Sequence, residues 1–174
     1  MRRVAGGVGW VATDNLHVTV KFLGQVPLSR LGEIADAVAR AVSGAQGFDL
    51  AIQGLGAFPT ASRPRVVWAG LGDGAEPLRA LAARVEDALA ALGFEREARA
   101  FSPHVTLGRV REPRRDPRLE AAILAGAAEP FGTVRVERVC VMRSELSPRG
   151  ARYSELSAAT MSGPARFPRS AGPG

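Results

Sequence analysis

Two histidines occur among the 174 residues, and each opens the same kind of tetrad: His17-Val18-Thr19-Val20 and, 87 positions later, His104-Val105-Thr106-Leu107. In an extended strand successive side chains alternate between faces, so each tetrad sets an imidazole beside a hydroxyl on one face. The other face takes the apolar residues, Val18, Val20 and Phe22 in the first copy and Val105 and Leu107 in the second. Two imidazoles facing a common cleft suit a reaction in which one group gives a proton and the other takes one. Two threonine hydroxyls can donate hydrogen bonds to oxygens that gain charge on the way. A phosphorus centre meets both conditions, because nucleophile and leaving group lie in line on opposite sides of its equatorial oxygens. The bland alternative is that each histidine only satisfies a neighbouring carbonyl. It accounts for one copy well and for a matched pair poorly.

Other chemistries fit less well. There is no Gly-x-Ser-x-Gly nucleophile elbow and no Gly-x-x-x-x-Gly-Lys-Ser/Thr phosphate loop. A two-histidine metal site would lack further ligands, since threonine is the neighbour on each presumed active face; neither metal nor cofactor is expected. Cys140 is the only cysteine, which rules out an intrachain disulfide, and Val139-Cys140-Val141 reads as a small buried hydrophobe within a strand.

The elements that must hold the tetrads follow from periodicity. A turn at Asp14-Asn15 leads to a strand over Leu16–Leu23, closed by Gly24. Leu31, Ile34, Ala35, Val38 and Val42 recur at helical spacing, with Ser29 as N-cap and Gly44 as stop. Phe48, Leu50 and Ile52 alternate as a strand, Gly54 to Pro59 reads as a loop, and Val66 to Leu71 as a further strand. Leu78, Leu81, Ala82, Val85, Leu89 and Leu92 form the clearest amphipathic stripe, with Pro77 in its first turn and Gly93 after it. The second tetrad follows Pro103 in a strand over 104–110. Arg111 to Pro117 is a charged loop, and Leu119 to Ala128 a short helix. Val134 and Val136 have the opposite parity to Val139 and Val141, so a bulge or turn is expected near Glu137-Arg138. Ser147-Pro148-Arg149-Gly150 reads as a turn before a strand through Tyr153 and Leu156. Each tetrad thus sits in its own half of the chain. The fold expected is α+β and bilobal, two pseudo-symmetric, mainly antiparallel sheets with flanking helices around a central cleft. Residues 1–160 form that single domain, and the Gly/Pro/Ser/Arg-rich 161–174 a disordered tail.

Composition sets the outer bounds. Hydrophobic residues make up 46%, ample for one packed domain at this length. The net charge is +6 with 23 basic residues, of which only Lys21 is lysine. Arginine is the better planar donor to phosphate, and a positive field favours anionic partners. No apolar run nears the roughly 20 residues that span a bilayer, so no membrane partner and a cytoplasmic location are expected.

The chain resembles the two-histidine phosphoesterase superfamily, most closely the RNA 2',3'-cyclic phosphodiesterases also called 2'-5' RNA ligases. The likeness is carried by Asn15-Leu16-His17-Val18-Thr19-Val20-Lys21-Phe22-Leu23-Gly24 and by Phe101-Ser102-Pro103-His104-Val105-Thr106-Leu107-Gly108-Arg109-Val110. It extends through Gly54–Pro59, Val66-Val67-Trp68, Arg143-Ser144-Glu145-Leu146 and Gly150-Ala151-Arg152-Tyr153, from about residue 10 to 158. The resemblance implies hydrolysis of RNA 2',3'-cyclic phosphodiester ends to 2'-phosphomonoesters, with reverse 2'-5' ligation as a companion activity. It further implies His17 as proton donor, His104 as proton acceptor, and Thr19, Thr106 and Arg109 at the phosphate. The partner would be RNA with such an end, or a small cyclic nucleotide. The rival function is a protein that grips RNA ends or nucleotide phosphates without turnover. Members of that family carry a further strand and helix ahead of the stretch matching Trp10, for which this chain has no room. An unpaired edge is therefore expected in the first lobe of an otherwise monomeric protein, with self-association as one way to cover it.

Overall fold

Residues 7–112, 115–147 and 150–162 are described by a computed structural model. In chain order the elements are β1 (Val8–Trp10), α1 (Leu31–Val42), β2 (Phe48–Phe58), β3 (Val66–Leu71), α2 (Ala75–Ala90), β4 (Val105–Val110), α3 (Pro117–Ala125), β5 (Pro130–Val136), β6 (Arg138–Ser147) and β7 (Gly150–Thr160). They form two antiparallel sheets, one of five strands in the order β1-β4-β3-β2-β5 and one of two, β6-β7. The α+β class and the division into two sheets agree with expectation; the halves differ in strand number.

Each sheet has its own apolar backing. The α2 stripe Leu78, Leu81, Ala82, Val85 and Leu89 is buried. Leu81, Val85 and Leu89 meet Ile34, Ala37, Val38, Ala41 and Val42 of α1 in one cluster, on which Val139, Val141 and Ala159 of the β6-β7 hairpin pack. Met161 lies inside this cluster at 4% exposure, and Ser162 bridges Gln46. Packing thus continues two residues past the boundary expected at 160, and 163–174 lie outside the described residues. Behind the larger sheet, Leu119 and Ile123 of α3 meet Val8 and Val67. The α3 helix starts where Asp116 accepts hydrogen bonds from the N–H groups of Arg118 and Leu119 at 3.0 and 3.1 Å.

Several boundaries move for local reasons. Val8–Trp10 forms a strand on β4, where no periodic pattern marked one. A 3-10 turn at Leu28–Arg30 delays α1 to Leu31, so Ser29 is not its cap. The segment from Gly54 is strand rather than loop, because a register shift between Ile52 and Leu55 lets β2 run on to Phe58. The parity conflict at Glu137 is real: there the chain leaves one sheet for the other. Pro148 and Arg149, the middle of the expected hairpin turn, lie outside the described residues. Cys140 is half-buried in β6; burial first, then its bond to Glu155, push the thiol up from its ordinary value, with Arg138 opposing.

The largest departure concerns the first tetrad. Leu16–Leu23 is not a strand: its one sheet contact is an isolated antiparallel bridge, Val18 to Val105. Without a ladder the alternation breaks after Val20. Val20 and Leu23 pack on the α1-α2 cluster, while Phe22, expected inside, is 74% exposed. Lys21 turns inward instead, its side chain only 4% exposed. Its ammonium donates to a Glu86 carboxylate oxygen at 2.9 Å and to the Glu95 carbonyl at 2.7 Å. Glu86, on α2, also accepts from the Glu97 backbone N–H at 2.9 Å. The sole lysine is therefore a clasp between the tetrad segment and α2.

Burial works against ionising Glu86, but Lys21, the Glu97 N–H and Arg96 together hold its carboxyl below the ordinary carboxylate value. A carboxyl lowered by folding adds stability that is present above its unfolded value and lost as pH falls through the folded one. Glu86→Gln should lower stability near pH 7 by about 1–2 kcal/mol, less than a fully buried pair costs because Glu86 keeps an exposed edge. Thermal melts should show the wild-type advantage shrinking as pH drops below about 4.5; an advantage constant down to pH 3 would show that the clasp does not depend on the charge.

Candidate active site

The Val18–Val105 bridge decides how the tetrads meet. In an antiparallel pair, opposed residues share a face, and their chain neighbours take the other face. One step to either side, His17 therefore stands opposite Thr106 and Thr19 opposite His104. All four polar side chains rise from one face, and the two histidines are diagonal neighbours, a relation that spans roughly 7–8 Å between backbones. Beneath them Val105 is buried, as is its β3 partner Ala69. The sequence led us to expect the two His/Thr faces to meet across a cleft; the direct antiparallel bridge between the two segments, which sets each histidine opposite the other copy's threonine, was not foreseen.

The two imidazoles are fixed in the same way. The Nδ1–H of His17 donates to the Asn15 carbonyl at 2.7 Å, and that of His104 to the Ser102 carbonyl, also at 2.7 Å. In each case the acceptor lies two residues upstream. This bond sets the tautomer and leaves Nε2 as the working nitrogen, able to accept a proton when neutral and to donate one when charged. Aromatic edges hold the ring planes. Tyr153 of β7 meets His17 at 4.8 Å between centroids and 67° between planes, and Phe58 of β2 meets His104 at 5.1 Å and 80°. Trp68 of β3 stands 6.3 Å from His104 and 5.3 Å from Phe58. Sequence reasoning missed Phe58, Trp68 and Tyr153 as parts of the site. A carbonyl two residues upstream leaves no signature in residue type.

Arg109 reaches the same face through a bulge. Val67 of β3 partners Gly108, but Trp68 partners Thr106, leaving Leu107 as an extra residue on β4. Straight alternation would send Thr106 and Arg109 to opposite faces; the extra residue brings Arg109 back beside Val66 on the face of Trp68 and Thr106. It is exposed and makes no ion pair among the described residues. The face thus offers two Nε2 atoms, two hydroxyls and one guanidinium. His17 is exposed and His104 partly so. A hollow of about 340 Å³ lined by Phe22–Gly24 and Gly93–Glu97 lies apart from the tetrads. No cluster of three or more His, Cys, Asp or Glu suited to a metal occurs among the described residues.

Trp68 keeps its place because Gly56 has no side chain. A Cβ there would stand 2.2 Å from two atoms of the indole ring. Gly56→Ala should therefore push Trp68 toward Phe58 and His104 at a cost of about 1–3 kcal/mol. A shifted tryptophan emission with a lowered, still cooperative melt is the expected result; unchanged emission would show that the indole does not rest on Gly56.

Comparison with known proteins agrees with this fold. The family model described as 2'-5' RNA ligase superfamily matches residues 3–148. A protein of Aeropyrum pernix named RNA 2',3'-cyclic phosphodiesterase is 36% identical over 146 residues, covering 84% of this chain and 82% of that one. Among solved structures, TT0787 of Thermus thermophilus aligns with a TM-score of 0.69 at 31% identity, over 91% of this chain and 84% of that one. Escherichia coli LigT complexed with 3'-AMP aligns with a TM-score of 0.66 at 26% identity, over 89% and 82%. On the extent of the family match and the identity to these relatives, the chain belongs to the 2'-5' RNA ligase superfamily.

Proposed function

We propose that this protein hydrolyses 2',3'-cyclic phosphodiester ends of RNA to 2'-phosphomonoesters by histidine acid–base catalysis. His104 Nε2 takes a proton from water as the water oxygen bonds to phosphorus. The bond from phosphorus to the 3'-oxygen breaks, and protonated His17 supplies that oxygen's proton. Thr19, Thr106 and Arg109 donate to the non-bridging oxygens, whose charge they stabilise most where it is greatest. With an RNA 5'-hydroxyl in place of water, the same steps join two strands through a 2'-5' bond.

The observation that carries this reading is the Val18–Val105 bridge, from which strand alternation would set both imidazoles and both hydroxyls on one face. The matched Nδ1 bonds support it, since each reserves one nitrogen for proton transfer. The names of the relatives support it too: RNA 2',3'-cyclic phosphodiesterases from several organisms align over more than four fifths of the chain.

Purified protein should convert an oligonucleotide ending in a 2',3'-cyclic phosphate to the 2'-phosphate alone, in the presence of chelator. A 3'-phosphate product would reverse the leaving group, and saturable binding without product would favour the end-binding reading. Replacing either histidine with alanine should slow the chemical step by roughly 10²- to 10⁴-fold with the fold intact. Thr19→Val and Thr106→Val should each lose about 1–3 kcal/mol of transition-state binding. Val105→Ala is the opposing control, lowering the melting temperature through a cavity while the folded fraction still turns over.

A further inference from the structure

Beyond Arg109 the chain runs on to Arg111, whose backbone N–H donates to the Gly7 carbonyl at 3.1 Å and so extends the β1-β4 pairing past Val8–Val110. β4 itself ends at Val110, but this bond holds the chain beside β1 for one residue more, where continued alternation would return the side chain to the Arg109 face. A second observation agrees. Gly9 is the partner of Arg109, and a Cβ built on Gly9 would stand 3.8 Å from the Arg111 Nε. The Arg111 side chain therefore lies across β1, over Gly9, on the face that carries Arg109 and Thr106. Arg111 is exposed, and neither it nor Arg109 meets a carboxylate among the described residues.

We infer that Arg111 binds the phosphodiester on the 5' side of the reacting nucleotide, so that the site takes the end of an RNA strand rather than a lone cyclic nucleotide. This rests on the cyclic phosphodiesterase reading above. Thr106, Arg109 and Arg111 form a row leading away from the tetrads, and the strand beside them contributes Gly7 and Gly9, which raise no side chain in the way. The two arginines are about 6.6–6.8 Å apart along the strand, one nucleotide step in scale. A row of planar, unpaired guanidinium donors beside a bare backbone floor is the arrangement that follows a phosphate chain without reading its sequence. Gly9 has a structural reason to be small, since a branched side chain there would displace the guanidinium while its own Cβ still fits.

Two substrates separate this contact from the chemistry: an oligonucleotide ending in a 2',3'-cyclic phosphate, and a 2',3'-cyclic mononucleotide with no 5'-phosphate. Arg111→Ala should lower kcat/KM for the oligonucleotide by about three- to tenfold, mainly through KM, and leave the mononucleotide unchanged. The slope of log kcat/KM against log salt for the oligonucleotide should become shallower by about 0.7. Gly9→Val should act in the same direction while keeping the charge. Equal losses on both substrates, or no loss on either, would overturn the inference. Wild-type failure on both substrates would instead strike the cyclic phosphodiesterase reading. Fluorescence anisotropy with the labelled oligonucleotide then decides the contact without turnover: a weaker Kd for Arg111→Ala supports it, and equal Kd values reject it.

Discussion

The site depends on one backbone apposition, Val18 against Val105. It brings together segments separated by half the chain and fixes which face each tetrad presents. Because it is a single bridge and not a ladder, it cannot by itself hold the first segment in place. Two further interactions do so, the packing of Val20 and Leu23 on the α1-α2 core and the Lys21 clasp on Glu86. A compact ammonium suits that clasp, since it must reach a carboxylate and a carbonyl at once from a nearly closed position. A residue just past the tetrad, facing away from the chemistry, thus ties the position of α2 to the segment that carries His17.

The two tetrads are equivalent at the backbone and different in their surroundings. Both rings are oriented by a carbonyl two residues upstream, so in both Nε2 is the nitrogen left for proton transfer. Their neighbours come from different sheets: Tyr153 from the two-stranded hairpin beside His17, Phe58 and Trp68 from the five-stranded sheet beside His104. Identical preparation of two imidazoles suits the proposed acid–base chemistry, in which donor and acceptor would exchange roles between the forward and reverse directions. The groups around them are donors: two hydroxyls and the guanidinium that the Leu107 bulge turns back onto the face.

Much of this was legible in the sequence because it rests on residue type and period. The α2 stripe predicted Leu78, Leu81, Ala82, Val85 and Leu89 as its buried side, while Leu92 falls beyond the helix end at Ala90 and is half-buried; the matched tetrads located the two histidines, and Val66–Leu71 was marked as a strand by its composition. The misses have a common cause in irregular backbone, which has no period. A strand pattern over Leu16–Leu23 required a ladder, and with only one bridge the inward residue after Val20 became Lys21 and the outward one Phe22. Bulges in β2 and β4 extended one strand through a glycine-rich stretch and moved Arg109 to the face where it faces the tetrads. The aromatic neighbours of the histidines arise from sheet register, which a single sequence does not disclose.

The central claim is that His17 acts as the acid and His104 as the base, and the pH dependence of kcat/KM in single variants tests it most directly. In the wild type the profile should be bell-shaped, since one imidazole must be protonated and the other neutral. The descending, alkaline limb should belong to His17 and the ascending, acidic limb to His104. Residual activity of His17→Ala should therefore lose the alkaline limb and keep the acidic one, and His104→Ala should do the reverse. The opposite assignment of limbs would exchange the two roles, and both limbs surviving in both variants would remove the histidines from proton transfer altogether.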